Sequence, residues 1–114
     1  MSDAYDRDRL VELFGEDSCT LADVEREFLD TVHAAEREIA GTDDLVAIAR
    51  VAHRLKGASG MIGADALRRI AEAVERAAKA NDLPSVRRLH GMFSQEVHRV
   101  AEQVGPERVG AAHA

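Results

Sequence analysis

The sequence predicts an all-α fold, an antiparallel up-down four-helix bundle with a short additional N-terminal helix. Three observations carry this expectation. Apolar residues recur at steps of three and four along four long stretches, the spacing of one buried helix face. The composition favours helix: there are only 2 prolines in 114 residues, and alanine, leucine, glutamate and arginine dominate. The gaps between the periodic stretches are short and hold Gly, Asn, Asp and Thr, so consecutive helices must lie antiparallel.

Taken in order, residues 1–5 are expected to be a loose start. Asp6 or Asp8 is placed to cap a short helix through Phe14, with Gly15 as its stop and Leu10, Leu13 and Phe14 folding back on the bundle. A long helix follows over about 20–40. Thr20 with Asp23 resembles a capping box, and Leu21, Val24, Phe28, Val32, Ala35 and Ile39 form its apolar stripe. Gly41 ends it and Thr42 is the expected cap of the next helix, over about 43–60, with Leu45, Ile48, Ala52, Leu55, Ser59 and Ile62 facing inward. Gly63 marks a break. A further helix is expected over about 65–80, with Leu67, Ile70, Ala71, Val74, Ala77 and Ala78 inward. Asn81 is a left-handed terminator, and Asp82 with Pro84 starts the last helix, about 83–104, with Val86, Leu89, Phe93, Val97, Val100 and Val104 inward. Gly105-Pro106 stops it. Residues 1–105 thus read as one domain and 106–114 as a disordered tail.

Composition excludes several functions. A net charge of −6 argues against nonspecific nucleic-acid binding. No apolar run is long enough for a membrane span, and the acidic start lacks a signal-peptide pattern, so a cytoplasmic protein is expected. The single cysteine, Cys19, rules out an internal disulfide and reads as a small core or helix-start residue. The glycines lack the GxxxxGK[ST] spacing of a nucleotide loop, so ATP binding is not expected. His33, His90, His98 and His113 show neither the i, i+4 zinc pair nor HExxH, and no metal site is expected. Charge is also uneven. Residues 1–44 hold 14 acids and 4 bases, whereas 45–114 hold 7 acids and 11 bases. The positive part contains His53 and suits an anionic group; equally, oppositely charged helices side by side would give the same imbalance.

One stretch breaks local rules. In Ala52-His53-Arg54-Leu55-Lys56-Gly57-Ala58-Ser59-Gly60, His53 projects roughly 120° from the middle of the apolar stripe, toward solvent. Lys56 at i+3 and Gly57 at i+4 adjoin it. Arg50 lies at i−3. Glycine inside a helix costs about 0.5–1 kcal/mol relative to alanine, so Gly57 and Gly60 sit there at a loss that helix stability does not explain. An exposed neutral imidazole beside a cation, with little side-chain bulk around it, is a nucleophile with open access. A lone surface histidine is otherwise an ordinary residue, Lys56 alone a solvated lysine, and the glycines alone a helix–helix contact.

These residues, with Ile62-Gly63-Ala64, Leu67, Ile70 and Val74-Glu75, resemble the signature of histidine-containing phosphotransfer (HPt) domains, the relay modules of multistep two-component signalling. A weaker similarity of helical pattern covers about residues 5–104. A cysteine common in the family is Ala71 here, a packing substitution. The resemblance implies that His53 is phosphorylated on Nε2, that Lys56 stabilises the phosphate with Arg50 as a possible auxiliary charge, and that Gly57 and Gly60 give access. It implies receiver domains of response regulators and a hybrid histidine kinase as partners, with the phosphoryl group passing from one receiver aspartate to another. No cofactor is implied for this chain, and any Mg²⁺ belongs to the receiver. It implies a carrier without kinase activity of its own, and the polar outer faces suit a monomer. Two other functions fit the same bundle: the phosphoacceptor domain of a chemotaxis-type histidine kinase, disfavoured because no catalytic domain accompanies it, and a non-catalytic helical interaction module.

Overall fold

A computed structural model describes residues 3–105, all of its regular structure helical. Five helices follow one another: α1 (Arg7–Phe14), α2 (Ser18–Ala40), α3 (Leu45–Met61), α4 (Asp65–Lys79) and α5 (Leu83–Val104). The last four form the expected up-down bundle. α3 packs most extensively on α4, α4 on α5, α5 on α2 and α2 on α3, closing the ring, while α1 lies against α2. Val32, Ile48, Leu67, Val86, Phe93 and Val100 are fully buried and mark the axis of the core. The expected tail, 106–114, lies outside the described residues, as do Met1 and Ser2.

Helix starts follow aspartate. Asp6, Asp17, Asp44 and Asp82 each accept a backbone N–H of the first turn of α1, α2, α3 and α5, respectively. Two of these correct the sequence expectation. α2 begins at Ser18 because Asp17 caps it, accepting from both the Thr20 backbone and the Thr20 hydroxyl. Those bonds hold the Asp17 carboxyl below its ordinary range. Thr42 does not cap α3; its hydroxyl instead accepts from the N–H of Asp44, the true cap. An ionised carboxylate takes precedence over a hydroxyl because charge-assisted bonds are stronger. Cys19 is an exposed helix-start residue.

The chain before α1 is not loose from Ala4 onward, a third correction. Ala4 and Tyr5 are 3% and 1% exposed. Gln103 of α5 accepts from both of their N–H groups and donates to the Tyr5 carbonyl. The Tyr5 hydroxyl donates to Glu25, itself 1% exposed, and its ring meets Phe28 edge-on. Asp6 N–H donates to the Ile62 carbonyl at 3.0 Å, so this strap also ties down the α3–α4 turn. Gly63 is needed there twice over: its φ is +72°, and a Cβ would stand 2.6 Å from Cβ of Asp6. In α1 Leu10 is buried and Val11 packs partly against the core, whereas Leu13 and Phe14 in its last turn remain 48% and 41% exposed.

The stripes of α2 to α5 are otherwise as expected, with Val24, Ile70, Ala77 and Leu89 half-buried at their edges. Asn81 has φ +57° and Asp82 caps α5 as foreseen. Arg87 of α5 donates to the Ile39 and Thr42 carbonyls, satisfying the end of α2.

Candidate functional site

His53 lies on the middle turns of α3, with 66% of its side chain exposed. The stripe residues Val51, Ala52 and Leu55 are buried around it, which fixes the helix rotation and leaves position 53 outside. α3 and α4 are antiparallel neighbours joined by the tight Ile62–Ala64 turn. His53 lies 8 residues before the end of α3 and Glu75 10 residues after the start of α4, so the hairpin brings them nearly level. Glu75 stands beside Val74 on the inward side of α4, and only 6% of its side chain is exposed.

Three donors converge on that carboxylate. Lys56 Nζ donates to Oε1 at 2.9 Å. Nδ1 of His53 meets Oε2 at 2.9 Å, and Lys79 Nζ, one turn along α4, meets the same Oε2 at 3.1 Å. The hydrogen bond from Lys56 foremost, then those from Lys79 and His53, holds Glu75 well below the usual carboxylate range, at about 2, against the upward pull of burial. Glu75 is therefore an anion at any physiological pH, and an ionised carboxylate only accepts hydrogen bonds. Nδ1 must then carry the proton. In the neutral ring the free lone pair is on Nε2, the nitrogen away from the carboxylate.

Lys56 is half-buried, with 32% of its side chain exposed. It is tied to Glu75, yet an ammonium has three N–H groups and can keep this bond while donating elsewhere. Gly57 is exposed, and a Cβ there would meet nothing within 4 Å. Gly60 is different. Its added Cβ would come 3.2 Å from Cδ of Arg68, so it marks a close approach of α4 more than open surface. Arg50 is exposed along a groove that also holds His53, Glu75, Lys79, Val46 and Ala78. The structure thus gathers His53, Lys56 and Gly57 at one place, sets Arg50 beside it and puts Gly60 at the helix contact.

Sequence reasoning missed the roles of Glu75 and Lys79. The signal was present: Glu75 continues the apolar series Leu67, Ala71 and Ala78, and a charged residue on a buried stripe needs a partner. The remaining described histidines are elsewhere. His33 is near Glu36, His90 packs on Phe93 and His98 is beside Glu102. Among the described residues no group of three or more His, Cys, Asp and Glu is arranged to hold a metal ion, and no helix is long and apolar enough to cross a membrane.

A family model described as the Hpt domain matches residues 9–103. No curated protein and no solved structure gives a significant match.

Proposed function

The chain belongs to the Hpt domain family, and from that membership we propose that it is a phosphorelay intermediate whose His53 takes a phosphoryl group from one receiver-domain aspartate and passes it to another. Histidine phosphotransfer in two-component signalling is the role of the family; the acceptor residue, the partners and the path are the proposal. The observation that supports it most is the exposed imidazole whose Nδ1 is tied to a buried carboxylate, so that Nε2 is the reactive nitrogen.

In the proposed step the Nε2 lone pair attacks phosphorus of an aspartyl phosphate. The P–O bond to the aspartate breaks and its electron pair leaves with the carboxylate. The ring keeps the proton on Nδ1, still donated to Glu75, and the positive charge it gains is balanced by the oxygens of the transferred phosphoryl group. The logic is that of a carboxylate orienting and supporting a catalytic histidine. Transfer onward is the reverse step to a second aspartate. Such transfers depend on in-line placement and charge neutralisation, which Lys56, with Arg50 further off, is positioned to assist. Gly57 leaves room for the rim of a receiver. Any Mg²⁺ the reaction uses would be held by the receiver, and ATP would be used by a separate hybrid histidine kinase.

The test is a phosphotransfer profile of the parent and His53→Gln against labelled receiver domains. The parent should gain acid-labile phosphate from at least one receiver, and His53→Gln should gain none while unfolding at the parent temperature, an exposed side chain adding little to packing. Label retained by His53→Gln would move the site. Transfer from no receiver would favour a plain interaction module.

A further inference from the structure

The carboxylate of Glu75 has more positive charge around it than orienting a histidine requires. One lysine would make the cluster neutral. A neutral lysine–carboxylate pair would still favour the imidazolium form of His53, because the ring N–H would face an anion with acceptor capacity to spare. The imidazolium has no free lone pair and cannot attack phosphorus. The second lysine changes this balance. Lys79 Nζ occupies Oε2, the oxygen that the His53 ring uses, at 3.1 Å against 2.9 Å for Nδ1, while Lys56 takes Oε1. With both ammonium groups in place, protonating His53 would bring a third cation onto one carboxylate.

We propose that Lys79 is a positioning residue for phosphoryl acceptance, acting through Glu75: by sharing Oε2 with the ring it stops the carboxylate from drawing His53 into a closed imidazolium–carboxylate pair and keeps Nε2 available near neutral pH. This rests on His53 being the phosphoacceptor. The other charged groups around the ring do not replace Lys79. On α3, Arg50 borders the groove and Arg54 pairs with Glu38 of α2 at 3.8 Å. On α4, Glu72 is engaged by Arg68 and Arg76. No charged side chain of α5 lines the groove. Lys79 is 68% exposed, so its influence is partly screened and its removal leaves the core intact.

The test needs no partner protein. Diethyl pyrocarbonate is a neutral reagent that acylates the unprotonated imidazole nitrogen, and its reaction at His53 can be followed by peptide mass spectrometry across pH on the full chain. His53→Gln identifies the signal among the other histidines. In Lys79→Met the acid limb of the His53 profile should lie about half a pH unit higher, a rate about threefold lower on that limb, with a plateau no lower than the parent. Lys79→Arg, which keeps the charge, should follow the parent. An acid limb unmoved in Lys79→Met, or moved as far in Lys79→Arg, overturns the proposal. Because the reagent reports ring protonation and not relay, a failure of the relay reading appears only in the receiver profile, and a failure of the Lys79 proposal only here.

Discussion

Three glutamates are buried along the stripes of this bundle, Glu25, Glu75 and Glu96, and the first two end up in opposite circumstances. Glu25 on α2 is 1% exposed and receives the hydroxyl of Tyr5, a residue as buried as itself, with Arg7 at 3.9 Å. Glu75 on α4 is 5% exposed and receives a histidine whose side chain is 66% exposed. Burying a carboxylate is unfavourable unless donors compensate it, and both have donors. The difference lies in where the donor leads. The Tyr5 bond leads inward and clasps the N-terminal strap onto α2, as the Gln103 bonds clasp it onto α5. The His53 bond leads outward and gives a surface nucleophile a fixed tautomer. One kind of group thus anchors the strap at one place and equips the surface for chemistry at another.

The comparison breaks most visibly at Glu25. Glu25→Ala removes the acceptor that the Tyr5 hydroxyl uses inside the bundle, and losing the partner of a buried polar group costs about 1–3 kcal/mol. Denaturant unfolding should show that loss, while the folded fraction transfers phosphate through His53 at the parent rate. A loss under about 1 kcal/mol would mean that the strap is not an anchor.

Gly57→Gln probes the outward end. The site is open, with nothing within 4 Å of an added Cβ, and glutamine is a good helix former. Its melting temperature should be no lower than that of the parent. The side chain leans back over the turn that holds His53. A displacement of about 1 Å from in-line geometry can cost around a hundredfold, so receiver-to-His53 transfer should fall by roughly that factor. Normal transfer would show that access does not pass over Gly57.

The smallest of these effects belongs to Lys56. Lys56→Ala removes one of the three donors on Glu75 and a charge one helical turn from His53, but leaves Lys79 on the same carboxylate. A slowing of about tenfold is expected in single-turnover transfer, about 1.4 kcal/mol in the barrier. An unchanged rate would make Lys56 a counter-ion of Glu75 alone.

The helices are legible in local spacing. Their bounds, the Gly63 break, the Asn81 terminator and the outward rotation of His53 all follow from local spacing and backbone preference, and the structure agrees with them to within a few residues. Sequence erred locally where two capping groups competed, at Asp17 over Thr20 and Asp44 over Thr42, since charge decided and the pattern did not. Tertiary structure alone decided what the stripe glutamates meet. Glu75 and His53 are 22 residues apart and Tyr5 and Glu25 are 20 apart. The Gln103 bonds to the strap span 98 and 99 residues. A helical repeat states which face a residue occupies, but not which neighbour fills the space opposite. That neighbour is set by the register of two packed helices, which in turn is set by the length of the turn between them and the close fit of their side chains.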